Sequence, residues 1–282
     1  AAHGVEIVEG DLTRSDSLRE AVRGCSVVFS VAAWVGRPTS YEVARRVTVD
    51  GTRALVDAAI DAGVKRLVHT SSIAAYGPQA GGVVDETWPL SATDAYGATK
   101  AESEAVVLDR ADRVESCVIR PAQVYGPRGG AWTTWLFGAL KRGLPILVDG
   151  GHGTFHPCYI DNLVDGYLLA AARAEAAGEA FTLVDGTTTW REFVGQYARM
   201  VGRLPRSVPV ALVGSALRMV IWWSKLTRQP PPATRDSLHF VLGSARFSHE
   251  KAKRLLGWSP RVSLEEGMRR TEAWLRETGR LG

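Results

Sequence analysis

Residues 26–33 read SVVFSVAA, apolar apart from two serines. A strand with one wet face alternates apolar and polar side chains. A uniformly apolar run fits a strand covered on both faces, which is the situation in a parallel sheet flanked by helices. The surrounding sequence repeats the theme. VEIVEG (5–10) reads as a strand and SDSLREAVRG (15–24) as a helix ending at Gly24. DGTRALVDAAIDAG (50–63) reads as a long helix, KRLVHTSS (65–72) as a strand, 96–109 as a helix and VESCVIRP (114–121) as a strand. Strand–helix–strand repeats predict an α/β class with a doubly wound parallel sheet. Beyond residue 127 the pattern loosens into helices at 132–143, 159–173, 189–202, 208–223 and 263–277, with PILVD and AFTLVD as short strands. QPPPATR (229–235) is a Pro-rich connector. The boundary falls at 127/128: a sheet domain over 1–127, and over 128–282 a smaller, mainly helical lobe with some segments returning to the sheet.

Three scattered cysteines cannot frame a disulfide scaffold, and the opening AAHGVEIVEGDL has no basic-then-apolar leader, so a reducing, cytoplasmic setting is expected. The net charge of +4 is unevenly spread. From Phe193 to Arg235 there are seven basic residues and no acidic one, leaving −3 for the rest. That stretch contains VPVALVGSALRMVIWW (208–223), too short and too centrally charged to span a bilayer. Two readings stand for it: a helix packed over a hydrophobic pocket, or a helix lying on a membrane surface. The basic stretch has no nucleic-acid-binding motif, so no nucleic-acid partner is expected. His152 and His156 are four apart in a Gly-rich loop with no third ligand nearby, and no metal is expected.

DAYGATKAESEAVV (94–107) places Tyr96 and Lys100 one helical turn apart, on one face. A phenol ionises near pH 10, and a neighbouring cation stabilises its phenolate. VHTSSIAAYG (68–77) supplies Thr70, Ser71 and Ser72 at the end of a parallel strand, the end at which such sheets bind ligands. Hydroxyl, phenol and ammonium together suit acid–base catalysis of hydride transfer at an alcohol carbon.

These motifs, in this order, resemble the extended short-chain dehydrogenase/reductase family, over residue 5 to the C-terminus. In the resemblance, GDL (10–12) is a turn that places Asp11 and Leu12 at the adenine, and VAAW (31–34) brings Ala32 and Ala33 to the dinucleotide. TSSIAAYG gives Ser72 as the group that polarises the substrate oxygen, with Thr70 and Ser71 bordering the cofactor. YGATK gives Tyr96 as acid–base and Lys100 as the group that lowers its pKa and binds the nicotinamide ribose. RPAQVYGP (120–127) sets Pro121 and Val124 beside the nicotinamide, and 247–275 matches a C-terminal signature. The implied cofactor is NAD or NADP, bound by residues 1–127. The sequence departs from the pattern at VTVDGT, where Thr48 replaces a usual Asn, and it contains no G-x-G-x-x-G or G-x-x-G-x-x-G turn. The resemblance implies that a first strand–turn–helix unit precedes residue 1, and the opening within a strand suggests the same.

Within the family, nucleotide-sugar enzymes carry an Arg-Asp pair shortly before the helix that here begins near Tyr159. Phe155 and His156 occupy that place, which points to an uncharged, hydrophobic small-molecule substrate and to the 3β-hydroxysteroid and sterol dehydrogenase branch. The resemblance also suggests a homodimer through the Tyr96 helix and the helix of 41–62. The alternatives are a nucleotide-sugar epimerase or dehydratase using the same three residues, and a non-catalytic NAD(P)-binding protein.

Overall fold

The computed structural model describes residues 4–35, 40–79, 81–227 and 235–281. Apart from Arg235, the Pro-rich connector lies outside them. The elements begin with α1 (Ser15–Ala21), β1 (Val27–Ser30), α2 (Tyr41–Arg45), α3 (Gly51–Asp61), β2 (Arg66–Thr70), β3 (Val83–Val84) and α4 (Ala95–Leu108). Then come β4 (Glu115–Pro121), β5 (Gln123–Tyr125), α5 (Leu136–Lys141), β6 (Pro145–Val148), β7 (Thr154–Phe155), β8 (Pro157–Tyr159), α6 (Ile160–Ala172) and β9 (Ala180–Leu183). The last are β10 (Thr188–Thr189), α7 (Trp190–Val201), β11 (Arg206–Val208), α8 (Val210–Thr227), α9 (Arg235–Leu242), β12 (Arg246–Phe247), α10 (Glu250–Leu256) and α11 (Leu264–Glu277).

Two compact units interleave along the chain. The first comprises Ala1–Gly77, Leu90–Arg120 and Tyr167–Phe181, and the second the remainder. The first is built on a four-stranded sheet ordered β1-β2-β4-β9. Val27 pairs with Arg66 and Ser30 with His69, while Arg66 pairs with Glu115 and Thr70 with Ile119, all in parallel. The ends of β1, β2 and β4 therefore lie along one edge of the sheet. Alternate side chains of β2 go to opposite faces. Leu67 joins Leu18, Val56, Val107 and Val118 in a core beneath α1, α3 and α4. Arg66 on the other face donates to the Ala170 and Arg173 carbonyls of the α6 segment. Helices on both faces make the sheet doubly wound.

Two expectations are corrected. Residues 5–10 form no strand: they carry no ladder partner among the described residues, and Ile7 is 84% exposed. β-propensity alone makes no strand where no neighbour supplies the hydrogen bonds. The run 26–33 is extended only at Val27–Ser30 and is not covered on both faces, since Phe29 is 42% exposed. β1 is an edge strand, and Phe29 meets the edge of the Tyr167 ring with centroids 6.1 Å apart.

The second unit has an aromatic core in which Phe155 stacks on Phe193 with centroids 3.9 Å apart, walled by Trp190, Trp132 and Tyr125. Asp185 is set against this core. Its Oδ2 accepts from the Tyr159 amide at 2.6 Å. Burial raises its carboxyl pKa to about 7, against the pull of hydrogen bonds from Tyr159 and Asn162. α7 carries a full capping box, Thr189 with Glu192, and ends at Gly202 in the left-handed region.

Candidate active site

The chemistry-bearing side chains gather at the end of β2 and the start of α4. Asp94 caps α4 by accepting the Tyr96 and Gly97 amides on Oδ1, each at 3.0 Å. Gly97 is required by packing: a Cβ there would lie 2.6 Å from both the Ala74 carbonyl oxygen and the Ala92 Cβ. The absence of that carbon lets the helix start press against the turn after Ser72. Ser72 caps that turn through the Ala74 amide at 3.1 Å, and its hydroxyl lowers the pKa of the Tyr96 phenol. Lys100, one turn further on, is 2% exposed and donates to the Thr70 carbonyl at 2.6 Å. Thr70 also shares a 2.6 Å hydrogen bond with the Tyr167 hydroxyl.

Burial shapes the protonation of this group. It raises the Tyr96 phenol above its ordinary pKa, and the Ser72 hydroxyl pulls the other way. It lowers the Lys100 ammonium to about 8, opposed by the Glu104 carboxylate. The lowering of Tyr96 by Lys100 that the resemblance implies is absent from this geometry. Loss of water around the phenol outweighs the other influences, and the ammonium is turned to the Thr70 carbonyl.

Beneath Lys100 lies a polar floor. Ser103 donates to the Lys100 carbonyl at 2.8 Å, so it accepts from His69 Nε2–H at 2.9 Å. His69 Nδ1 is then left to accept from Ser30 at 3.1 Å. Burial holds His69 near pKa 3, hence neutral, as expected of a satisfied core histidine. One turn beyond Lys100, Glu104 pairs with Arg120 on β4, Nη2 to Oε2 at 2.7 Å and Nε to both carboxylate oxygens at 3.1 Å. Glu104 also accepts from Ser71, and Arg120 reaches the Tyr76 hydroxyl at 2.9 Å. This pair ties α4, β4 and the Ser71–Ser72 turn together. Motif reading misses it, although an arginine inside the apolar run CVIRP demands a buried partner.

The remaining candidates fall into three groups. Thr48, 1% exposed in a widened helical turn ahead of α3, accepts from the Trp34 amide at 3.0 Å, which fastens the segment holding Ala32 and Ala33. A Cβ on Gly51 would lie 2.8 Å from the Leu12 Cβ, so the Asp11–Leu12 turn packs on the same start of α3. Asp11 is exposed and takes the Thr13 amide and hydroxyl on Oδ1 at 2.7 and 2.6 Å, lowering its carboxyl pKa. Pro121 ends β4, and Val124 lies in β5 opposite Cys158. Phe155 and His156 are placed differently from the sequence expectation. Phe155 has no exposed surface, and His156 is 3% exposed, with Nε2 against the Ala245 carbonyl at 2.8 Å. Phe155 belongs to the aromatic core of the second unit, and the His156 ring meets Phe247 edge to face with centroids 4.8 Å apart.

The model of the 3-beta hydroxysteroid dehydrogenase/isomerase family matches residues 2–191. The chain belongs to that family. Over 95% of its length it is 30% identical to 3beta-hydroxysteroid-dehydrogenase/decarboxylase isoform 1 of Arabidopsis thaliana. It spans 66% of that protein and 51% of the related isoform 2. Over 97% of its length it is 31% identical to the decarboxylating sterol-4-alpha-carboxylate 3-dehydrogenase of Saccharomyces cerevisiae, spanning 84% of it. Among solved structures it resembles the dTDP-glucose 4,6-dehydratase of Streptomyces venezuelae crystallised with NAD, at TM-score 0.77 and 26% identity. That match covers 95% of this chain and 78% of the other. As a family member the chain has the parallel-sheet α/β fold of the epimerase/dehydratase neighbours.

Proposed function

We propose that this protein is an NAD- or NADP-dependent oxidoreductase acting at a secondary alcohol or ketone of a small hydrophobic, sterol-like substrate, with Ser72, Tyr96 and Lys100 as its catalytic residues. The observation that carries the reading is the packing of the turn after Ser72 against the capped start of α4 at Tyr96, with the buried Lys100 one turn on. The sterol dehydrogenase names of the relatives support the substrate class.

The residues present fit the cofactor. Lys100 spends one of its three N–H donors on Thr70 and has two more for ribose hydroxyls. The exposed Asp11 engages Thr13 through Oδ1, so Oδ2 is available to an adenine amine. Leu12, Ala32, Ala33, Thr48, Thr70, Ser71, Pro121 and Val124 would border the dinucleotide. When bound, the nicotinamide supplies or accepts the hydride. Ser72 orients the substrate oxygen toward Tyr96. A phenol protonated at neutral pH is ready to give its proton to a forming alkoxide, and in the reverse direction the phenolate takes the alcohol's proton. Segment 208–223 meets a membrane surface, and the helical segment 41–62 with α4 forms the face of a homodimer. The likeness to a dTDP-glucose dehydratase supports a second reading, sugar-nucleotide chemistry through the same three residues.

The test is fluorescence titration of the whole gene product with NADH and NADPH, followed by a turnover screen of 3-hydroxy- and 3-ketosteroids against UDP- and dTDP-sugars, with Tyr96→Phe as control. Steroid turnover lost in the variant supports the proposal. Sugar-nucleotide turnover keeps the three residues and overturns the substrate class, and cofactor binding without any turnover leaves a binding protein.

A further inference from the structure

The turn that carries Ser72 is gripped at both ends by one buried ion pair. Ser71 leads into the turn and Tyr76 closes it, and both are buried, at 2% and 0% exposure. A buried hydroxyl needs a hydrogen-bond partner. Glu104 Oε1 accepts from the Ser71 hydroxyl, and Arg120 Nη1 donates to the Tyr76 hydroxyl at 2.9 Å. The guanidinium carbon also lies 4.9 Å from the centre of the Tyr76 ring. Ser72 and the helical turn Ile73–Tyr76 are thus strung between the two members of the pair.

One anchor of this grip is the helix that carries the phenol. Glu104 lies two turns along α4 from Tyr96, past Lys100 at the same spacing, so a single helix bears Tyr96 and holds the residue next to Ser72. Arg120 brings the other grip from β4, where the Ile119 carbonyl accepts the Ser71 amide at 2.7 Å. Stability alone is a weak account of the pair, because apolar residues of equal volume are often no less stable than a buried ion pair. Such residues would fill the space but offer nothing to the hydroxyls of Ser71 and Tyr76. What the charged pair adds is a fixed hydrogen-bonded path from α4 to both ends of the Ser72 turn.

We propose that Glu104 and Arg120 are positioning residues for the reaction, holding the Ser72 turn so that its hydroxyl stays in register with the Tyr96 phenol. The inference rests on the reading of Ser72 and Tyr96 as catalytic residues. Both members of the pair are buried and act through Ser71 and Tyr76. A displacement of about 1 Å in an active site can cost about 100-fold in rate, so releasing the turn at both ends reduces turnover with every catalytic side chain still present.

The experiment cuts the two grips and leaves the ion pair intact, in Ser71→Ala, Tyr76→Phe and the double variant of the whole gene product. The Ser71 amide keeps its bond to Ile119, and the Ser91 hydroxyl keeps its bond to the Tyr76 carbonyl at 2.8 Å, so the fold is retained. The crystal structure of the double variant should show Ser72 displaced by about 1 Å from the start of α4, and kcat on the substrate found in the turnover screen should fall about 100-fold. In a Ser72→Ala background the same changes should lower kcat by less than about twofold, because the group they position is gone. An equal loss in both backgrounds overturns the proposal in favour of a general structural role or of a cofactor contact by Ser71. A Ser72 turn that stays in place in the double variant overturns it whatever the turnover. Full turnover in Ser72→Ala sinks the catalytic assignment of Ser72 and the proposal with it, and a displaced turn in the crystal would then show that the grip exists and the chemistry does not depend on it.

Discussion

Replacing Glu104 with Gln isolates the buried pair that joins α4 to β4. The side chains of Glu104 and Arg120 are 2% and 6% exposed, so their charges are shielded from water on both sides of the contact. Neutralising one partner leaves the other as an uncompensated buried charge, which costs about 3–5 kcal/mol. The amide oxygen introduced by the substitution could still accept one guanidinium N–H, and the bond from Arg120 to Tyr76 survives, which places the loss at the lower end, about 3 kcal/mol. The assay is urea unfolding of Glu104→Gln, Arg120→Met and the double variant. Each single change should cost a similar amount, and the double variant should cost no more than about one of them, a coupling of about 2 kcal/mol or more. Additive losses, or a Glu104→Gln loss below about 1 kcal/mol, would refute the reasoning. The charges would then be relieved by water, and the pair would not hold the two elements together.

Tyr96→Phe should lower turnover at least about 100-fold with circular dichroism unchanged, because only a proton donor is removed. Lys100 has a folded pKa of about 8 against 10.5 when exposed, so between those values the unfolded chain binds more protons and stability rises with pH, by about 3 kcal/mol across the window. Lys100→Met should remove that rise, seen as the difference between the two unfolding profiles. Asp185 behaves oppositely. Its raised folded pKa of about 7 makes stability fall as pH climbs from about 4 to 7, by about 4 kcal/mol, and Asp185→Asn should flatten this fall in thermal melts. Gly97→Ala forces a carbon to 2.6 Å from Ala74 and Ala92, so a destabilisation of about 1–3 kcal/mol and a loss of turnover are expected.

What could be read from the sequence was what local pattern dictates. The strands at 66–70 and 115–121 and the helix over 95–108 follow from apolar runs and caps, and with them the convergence of Ser72, Tyr96 and Lys100. Other features needed the third dimension. The run 5–10 has the composition of a strand, but only a neighbouring strand could make it one. Phe29 belongs to a run as apolar as a buried strand, yet an edge position exposes it. Phe155 had the chemistry of a pocket wall and proved to be the centre of an aromatic core, since composition does not say on which side of a strand an opening lies. Glu104 and Arg120 are sixteen residues apart, and nothing local pairs them.

The neutral, doubly hydrogen-bonded His69 has a spectroscopic consequence. With its ring protonating only near pH 3, the floor under Lys100 contributes no histidine titration signal from mild acid to mild alkali. Its own ionisation should therefore not move its imidazole resonances while pH is scanned across the working range of an enzyme. A shift in those resonances near pH 8 would report the lysine above it losing its proton, so that one silent ring serves as a built-in probe of the charge on its neighbour.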